Sequence, residues 1–186
     1  MFHKALEQAV QAGYIRANPA SASKPPKAAK PKIRPLDTDQ VSAFSKGYSG
    51  HLHEYLYQIT IFTGLRQGEV LGLTWDCLNM ERGTLLVKQQ LRREQQKGGQ
   101  YYFSTTKNSR SRVLTLPPSV VQLFRLQQAK QENMRTKAGE LWQETGLIFT
   151  NEVGSRLSYR TVYDCFKRVV AKIGAPDTRF HDLRHT

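Results

Sequence analysis

Apolar residues recur at helical spacing in six stretches of the chain, and a stretch of strand-like character lies between the fourth and the fifth. Phe2, Leu6, Ala9 and Val10 share one helical face, Gly13 suits its end, and Asn18-Pro19 breaks the chain. One short helix cannot bury its own apolar face, so this one reads as the end of a preceding domain or as a docking element. Asp37 is placed to cap a second helix, with Gln40 reaching back from three residues on and Val41 and Phe44 facing inward. A third runs from about Leu52 to Thr63, with Leu52, Leu56, Ile59 and Phe62 on one side and Gly64 just past its end. A short fourth starts near Arg66 and turns Val70, Leu71 and Leu73 inward.

From Trp75 the period changes. Glu81-Arg82-Gly83 is a turn signal, and residues 84–90 are rich in strand formers. Lys97-Gly98-Gly99 is a second turn, and YYFSTTKNSRSRVLTLP predicts two strands around residues 107–110. Together these predict one small antiparallel sheet. Helical spacing returns from Pro118 to about Thr136, and residues 147–150 predict a short strand closed by a turn through Gly154. Ser158 is placed to cap a last helix with Val162, Phe166, Val169 and Ile173 inward, ended by Gly174 and Pro176. Helices, a compact sheet and helices again make an α+β domain.

Charge changes the picture most. A net charge of +13 over 186 residues favours association with polyanions through steering and counterion release. The segment ASASKPPKAAKPKIRP, residues 20–35, holds five basic residues and no acidic one. It reads as an extended linker, either a solvated tether or a strap along a phosphate backbone carried by Lys24, Lys27, Lys30, Lys32 and Arg34. No apolar run approaches the ~18 residues of a membrane span, and the N-terminus has no signal-peptide core. Cys77 and Cys165 lie far apart, without metal-ligand spacing, which predicts reduced thiols and a cytoplasmic setting. No metal or cofactor is expected.

Three stretches carry candidate chemistry. In TGLRQGEVLGLTW, Arg66 opens a helix and Glu69 follows three residues later, where it can fix the guanidinium. Alone, such a pair is commonly a surface ion pair. In TTKNSRSR, Lys107 sits at the tip of a predicted hairpin, where a flexible ammonium can reach into a site and donate a proton. Arg110 and Arg112 add backbone-gripping charge. In HDLRH, His181 and Arg184 share a helix face, and an arginine fork beside an imidazole suits a phosphate.

Taken in order, TGLRxxE, then TK-x-x-x-x-R, then HDLRHT, these motifs resemble those of the tyrosine recombinases, or phage-type integrases. The resemblance covers nearly all of the chain. It implies the end of a core-binding domain at residues 1–19, an interdomain linker at 20–36 and a catalytic domain at 37–186. It implies that Arg66 and Arg184 are the two catalytic arginines, His181 the histidine of the HxxR box, Lys107 the lysine that protonates the leaving 5′-oxygen, and Glu69 the acid that supports Arg66. The family cleaves and rejoins DNA through a 3′-phosphotyrosine intermediate, as a tetramer on double-stranded DNA and without a metal. Its attacking tyrosine lies beyond a motif like HDLRHT, so the resemblance implies a truncated catalytic domain. Tyr159 and Tyr163 precede that motif in an amphipathic helix and are not expected to attack. Truncation would also leave apolar surface uncovered near Leu65, Leu183 and the last long helix. Two other readings stay open: a DNA-binding remnant without chemistry, and a hydrolase using His181 as base.

Overall fold

The computed structural model describes residues 2–23, 33–94, 99–105 and 111–186. Its internal contacts divide the chain into two compact units, Met1–Lys32 and Ile33–Thr186.

The first unit holds helix α1, Phe2–Gln11, and a short 3₁₀ helix, Pro19–Ala22. No residue of α1 is buried. Asn18 joins the two pieces. Its amide donates to the His3 carbonyl at 3.0 Å and to the Glu7 carboxylate at 2.7 Å, while its side-chain oxygen accepts from the Ala20 N–H.

The second unit opens with α2, Thr38–Gly47, capped as expected: the Asp37 carboxylate accepts from the Gln40 N–H and the Gln40 side chain accepts from the Asp37 N–H. Helix α3, Glu54–Thr63, ends on Gly64 in the left-handed region at φ 61°, and α4, Gln67–Leu71, follows at once. The long helix α5 spans Pro118–Ala138 and α6 spans Tyr159–Lys172. A last 3₁₀ helix, Phe180–His185, packs on α3. The core centres on an aromatic cluster in which Phe166 of α6 meets Phe44 at 5.7 Å and Phe180 at 5.5 Å between ring centroids. Among the described residues no helix is long and apolar enough to cross a membrane.

Several expectations are corrected. The buried face of α3 is made by Leu56, Tyr57, Ile59 and Thr60, so Phe62 points away from it and is 64% exposed. The single predicted sheet is two. Strands β1, Leu78–Asn79, and β2, Thr84–Val87, form one antiparallel sheet with β5, Arg112–Thr115. Strands β3, Gln89–Arg93, and β4, Tyr101–Thr105, form the other. The strand-rich run therefore divides at Lys88, which is exposed and held by Asp76 at 2.6 Å. The strands flanking residues 106–110 pair with β3 and β2, not with each other, as a simple hairpin would require. Residues 147–150 are buried but make only isolated bridges, Thr74 to Leu147 and Thr150 to Arg156. Ser158 precedes α6 without a side-chain cap bond. Leu65, Leu183 and Val162 are fully buried, so these positions do not lie open as expected, while Phe62 and Tyr163 near them in the chain are exposed.

Helix α4 lies so close to β3 that side chains are excluded between them. A Cβ on Gly72 would stand 2.8 Å from the Leu91 backbone nitrogen, and one on Gly68 would strike the Tyr159 hydroxyl. Gln89 of β3 donates to the Gly72 carbonyl at 3.0 Å, which fixes the approach. Gly72→Ala must push α4 and β3 apart, at a cost of about 1–3 kcal/mol. Urea unfolding should show that loss; a variant as stable as the parent would mean the contact yields without cost.

Candidate active site

The site is built around one buried carboxylate. Gly64 turns the chain sharply, Leu65 anchors it in the core, and Arg66 becomes the residue that precedes α4. Glu69 lies on the first turn of that helix and is 1% exposed. Its carboxylate accepts the Arg66 backbone N–H at 2.9 Å and one Arg66 guanidinium nitrogen at 2.9 Å. Arg112 of β5 then closes on both oxygens, at 3.0 and 2.8 Å. Burial pushes the Glu69 carboxyl upward, but the hydrogen bonds and charges of Arg112 and Arg66 outweigh it and hold the pKa down at about 2. The same contact raises the pKa of Arg112.

The HDLRH stretch folds as the 3₁₀ turn Phe180–His185, anchored by buried Phe180 and Leu183. In 3₁₀ geometry residues three apart eclipse, so His181 and Arg184 share an edge. A second arginine–carboxylate pair starts this turn. Buried Asp182 accepts the Arg179 backbone N–H at 3.0 Å and its guanidinium at 3.0 and 2.7 Å. Asp182 is thus held ionised chiefly by Arg179.

Electrostatics bring the two halves together. Burial lowers the pKa of Arg184, and the positive charges of Arg66 and Arg112 lower it further against the pull of Glu69. The buried Nε of Arg184 has no hydrogen-bond partner. His181 is exposed, and its pKa is lowered by burial of part of the ring, then by Arg184, His185 and Arg66, which favours the neutral imidazole. Arg66, Arg112 and Arg184 bring three positive charges and Glu69 one negative, leaving two in excess. Such a cluster of charge can hold an anion and stabilise charge that develops on it.

Of the other predicted residues, Lys107, Arg110, Lys24, Lys27, Lys30 and Lys32 lie outside the described residues. Arg34 is exposed and paired with exposed Asp177, a contact that costs little to give up. Arg112, expected to grip a DNA backbone, is instead committed to Glu69. Tyr159 donates its hydroxyl to the Leu91 carbonyl and stacks on Tyr101 at 6.1 Å, and burial raises its pKa to about 12. Tyr163 is exposed. Among the described residues no three His, Cys, Asp or Glu side chains are grouped as a metal site would need.

Sequence reasoning missed two contacts. The Arg112–Glu69 pair joins residues 43 positions apart, and no local spacing announces it. The Arg179–Asp182 pair repeats the Arg66–Glu69 spacing and was open to the same reading.

A model of the phage integrase family matches residues 35–186. A XerC-like tyrosine recombinase of Caldanaerobacter subterraneus subsp. tengcongensis is 28% identical over 96% of this chain and 50% of its own. The tyrosine recombinase XerC of Xylella fastidiosa is 26% identical over 95% of this chain and 53% of its own. The chain therefore spans about half the length of these relatives. Among solved structures, the Tn1549 transposon integrase in complex with transposon right end DNA superposes with a TM-score of 0.75, at 24% identity over 99% of this chain and 61% of that one. XerA recombinase superposes with a TM-score of 0.59, at 17% identity over 98% and 57%. The two solved structures speak for the fold; the match of the family model over most of its length places this chain in the phage integrase, or tyrosine recombinase, family.

Proposed function

We propose that this chain forms the phosphate-activating part of a site-specific DNA recombinase or integrase. Arg66 and Arg184 bind the non-bridging oxygens of the scissile phosphate and stabilise the charge that grows on them. His181, neutral and exposed beside Arg184, donates a hydrogen bond or exchanges a proton with the phosphate or the attacking group. Lys107 protonates the leaving 5′-oxygen. The observation that carries this reading is the surplus of guanidinium charge around fully engaged Glu69, with the Nε of Arg184 left unpartnered. Three guanidiniums held around one carboxylate leave positive charge in excess, which is costly without a further anion, and a phosphodiester is the anion that a chain of charge +13 would attract. The partner is double-stranded DNA, and recombination is proposed to take place in a tetramer of the whole protein. The attacking hydroxyl is proposed to be a tyrosine of the longer protein. Tyr159 does not suit that role, because its hydroxyl is given to a backbone carbonyl and its pKa is raised to about 12.

Three measurements test this. In the longer protein on a nicked suicide substrate, Arg184→Ala should lower covalent protein–DNA adduct formation by about 10²–10³-fold, as expected for loss of a transition-state donor. An adduct mapped to Tyr159, or one indifferent to Arg184, would contradict the assignment.

Duplex binding by the chain itself should weaken steeply with salt. Log affinity falls by about 0.9 per decade of salt for each phosphate neutralised, and Arg184→Ala should reduce that slope by about one phosphate. A flat dependence would remove DNA as the partner.

The third measurement is of stability against pH. The folded pKa of Glu69 is depressed to about 2 from an ordinary 4.5. Its contribution is therefore complete above the unfolded value and is lost as pH falls through the folded one. The urea midpoint of the parent should fall more than that of Glu69→Gln as pH drops from 4.5 toward 2, and the two should run parallel at pH 6–8.

A further inference from the structure

Two arginine–carboxylate pairs in this structure share one spacing and are held differently. Asp182 has a single arginine. It accepts the Arg179 backbone N–H and grips the guanidinium by two nitrogens, Nε at 3.0 Å and Nη2 at 2.7 Å. Glu69 also follows its arginine by three residues and accepts the Arg66 backbone N–H in the same way. It holds that guanidinium by Nη1 alone, at 2.9 Å. A glutamate side chain is one methylene longer than an aspartate, so reach is not what limits it. The difference is Arg112 at the start of β5. Its Nη1 and Nη2 take the two oxygens of Glu69 at 3.0 and 2.8 Å, and each oxygen then carries two donors. A carboxylate has about four acceptor positions, so none is left for a second nitrogen of Arg66. Among the described residues Nε and Nη2 of Arg66 make no hydrogen bond, and the side chain is 42% exposed.

A guanidinium binds phosphate best through two parallel N–H groups. Arg179 has given its Nε–Nη2 edge to a carboxylate, whereas Arg66 has kept the same edge. We propose that Arg112 is a positioning residue for the reaction, on the reading that Arg66 binds the scissile phosphate. By filling Glu69 it limits the hold on Arg66 to one nitrogen and keeps the other two for the non-bridging oxygens. Without Arg112, Glu69 would close on Arg66 as Asp182 closes on Arg179, and the phosphate would lose its fork.

The first readout is spectroscopic and needs no DNA. In the 186-residue chain the Arg66 Nε–H should exchange rapidly with water, and the Arg179 Nε–H, held by Asp182, slowly. Arg112→Met frees two acceptor positions on Glu69. The Arg66 Nε–H should then exchange about tenfold more slowly, as one hydrogen bond to a charged group implies, while that of Arg179 does not change. Arg112→Lys keeps the charge but covers one oxygen rather than two. It should show the same change in smaller measure, and it serves where Arg112→Met does not fold. An Arg66 resonance unmoved in every variant that folds overturns the proposal, since a merely structural Arg112 would leave it where it is.

The second readout is the rate of covalent adduct formation by the longer protein on a nicked suicide substrate, where each variant is folded. Arg112→Met should slow it by about 10²-fold and Arg112→Lys by about tenfold. Adding Glu69→Gln to Arg112→Met should recover about tenfold of that loss, because a neutral amide holds Arg66 less firmly than a carboxylate. A direct contact of Arg112 with the phosphate predicts no recovery, so a double variant as slow as Arg112→Met overturns the proposal. Arg184→Ala separates the two levels. A rate sensitive to Arg184 and indifferent to Arg112 overturns the positioning role and leaves the recombinase reading in place; a rate indifferent to both removes that reading and the role with it.

Discussion

The carboxylate of Glu69 is the contact on which the site depends. A carboxylate offers about four acceptor positions, and here all four are taken: one by the Arg66 backbone, one by its guanidinium and two by Arg112. Removing one partner from a buried pair costs several kcal/mol, because the remaining charge is left without compensation. With two arginines Glu69 has a surplus of compensation, which is why its pKa falls despite complete burial. The consequence for function is a division of roles. Glu69 has no free lone pair with which to act as a base or to hold a metal. It orients Arg66, and it leaves Arg184 as the guanidinium whose charge is not matched.

The backbone makes that arrangement possible. Arg66 must sit at a helix start so that Glu69 can reach both its N–H and its side chain. Gly64 supplies the left-handed turn that ends α3 one residue before buried Leu65. Gly68 and Gly72 let β3 lie against α4, and the Tyr159 hydroxyl bound to the Leu91 carbonyl holds α6 to the same strand. The Arg179–Asp182 pair does for the last turn what Arg66–Glu69 does for α4. In both, an acid three residues on takes the N–H of its own arginine, so the start of each turn is stabilised by the group that aims the side chain. The second pair fixes the start of the short turn that presents His181 and Arg184.

Helices were legible in the sequence because their apolar spacing and caps are local. Asp37 with Gln40 and Gly64 after α3 depend only on neighbours in the chain. The site was legible in part for the same reason: Arg66, Glu69, His181 and Arg184 lie within two short motifs. Phe62 was misread because four apolar or neutral residues compete for the inner face of α3, and packing against Phe166 and Phe180 selects Tyr57 rather than Phe62. The division of the sheet at Lys88 is a choice of partners between distant strands, which alternation within one strand does not encode. Arg112 was read as a contact to a DNA backbone because its acid lies 43 residues away in the chain, beyond several strands.

That long-range pair also explains how the two motifs flanking residues 106–110 are tied to the arginine pocket. On one side Thr105 pairs with Gln89, and Gln89 donates to the Gly72 carbonyl at the end of α4. On the other side Arg112 grips Glu69 on the first turn of the same helix. Both flanks of the segment that carries Lys107 are therefore fixed to α4, the helix that Arg66 precedes. A change in the position of α4 moves the arginine and both flanks together. In the function proposed here, relative geometry at the phosphate is what matters for charge stabilisation, since a displacement of about 1 Å can cost two orders of magnitude in rate. Glu69 thus sets more than the angle of one guanidinium. By joining α4 to β5 it makes the first arginine and the flanks of the lysine segment parts of one rigid frame, while the His181–Arg184 turn is fixed separately through Asp182 and the core.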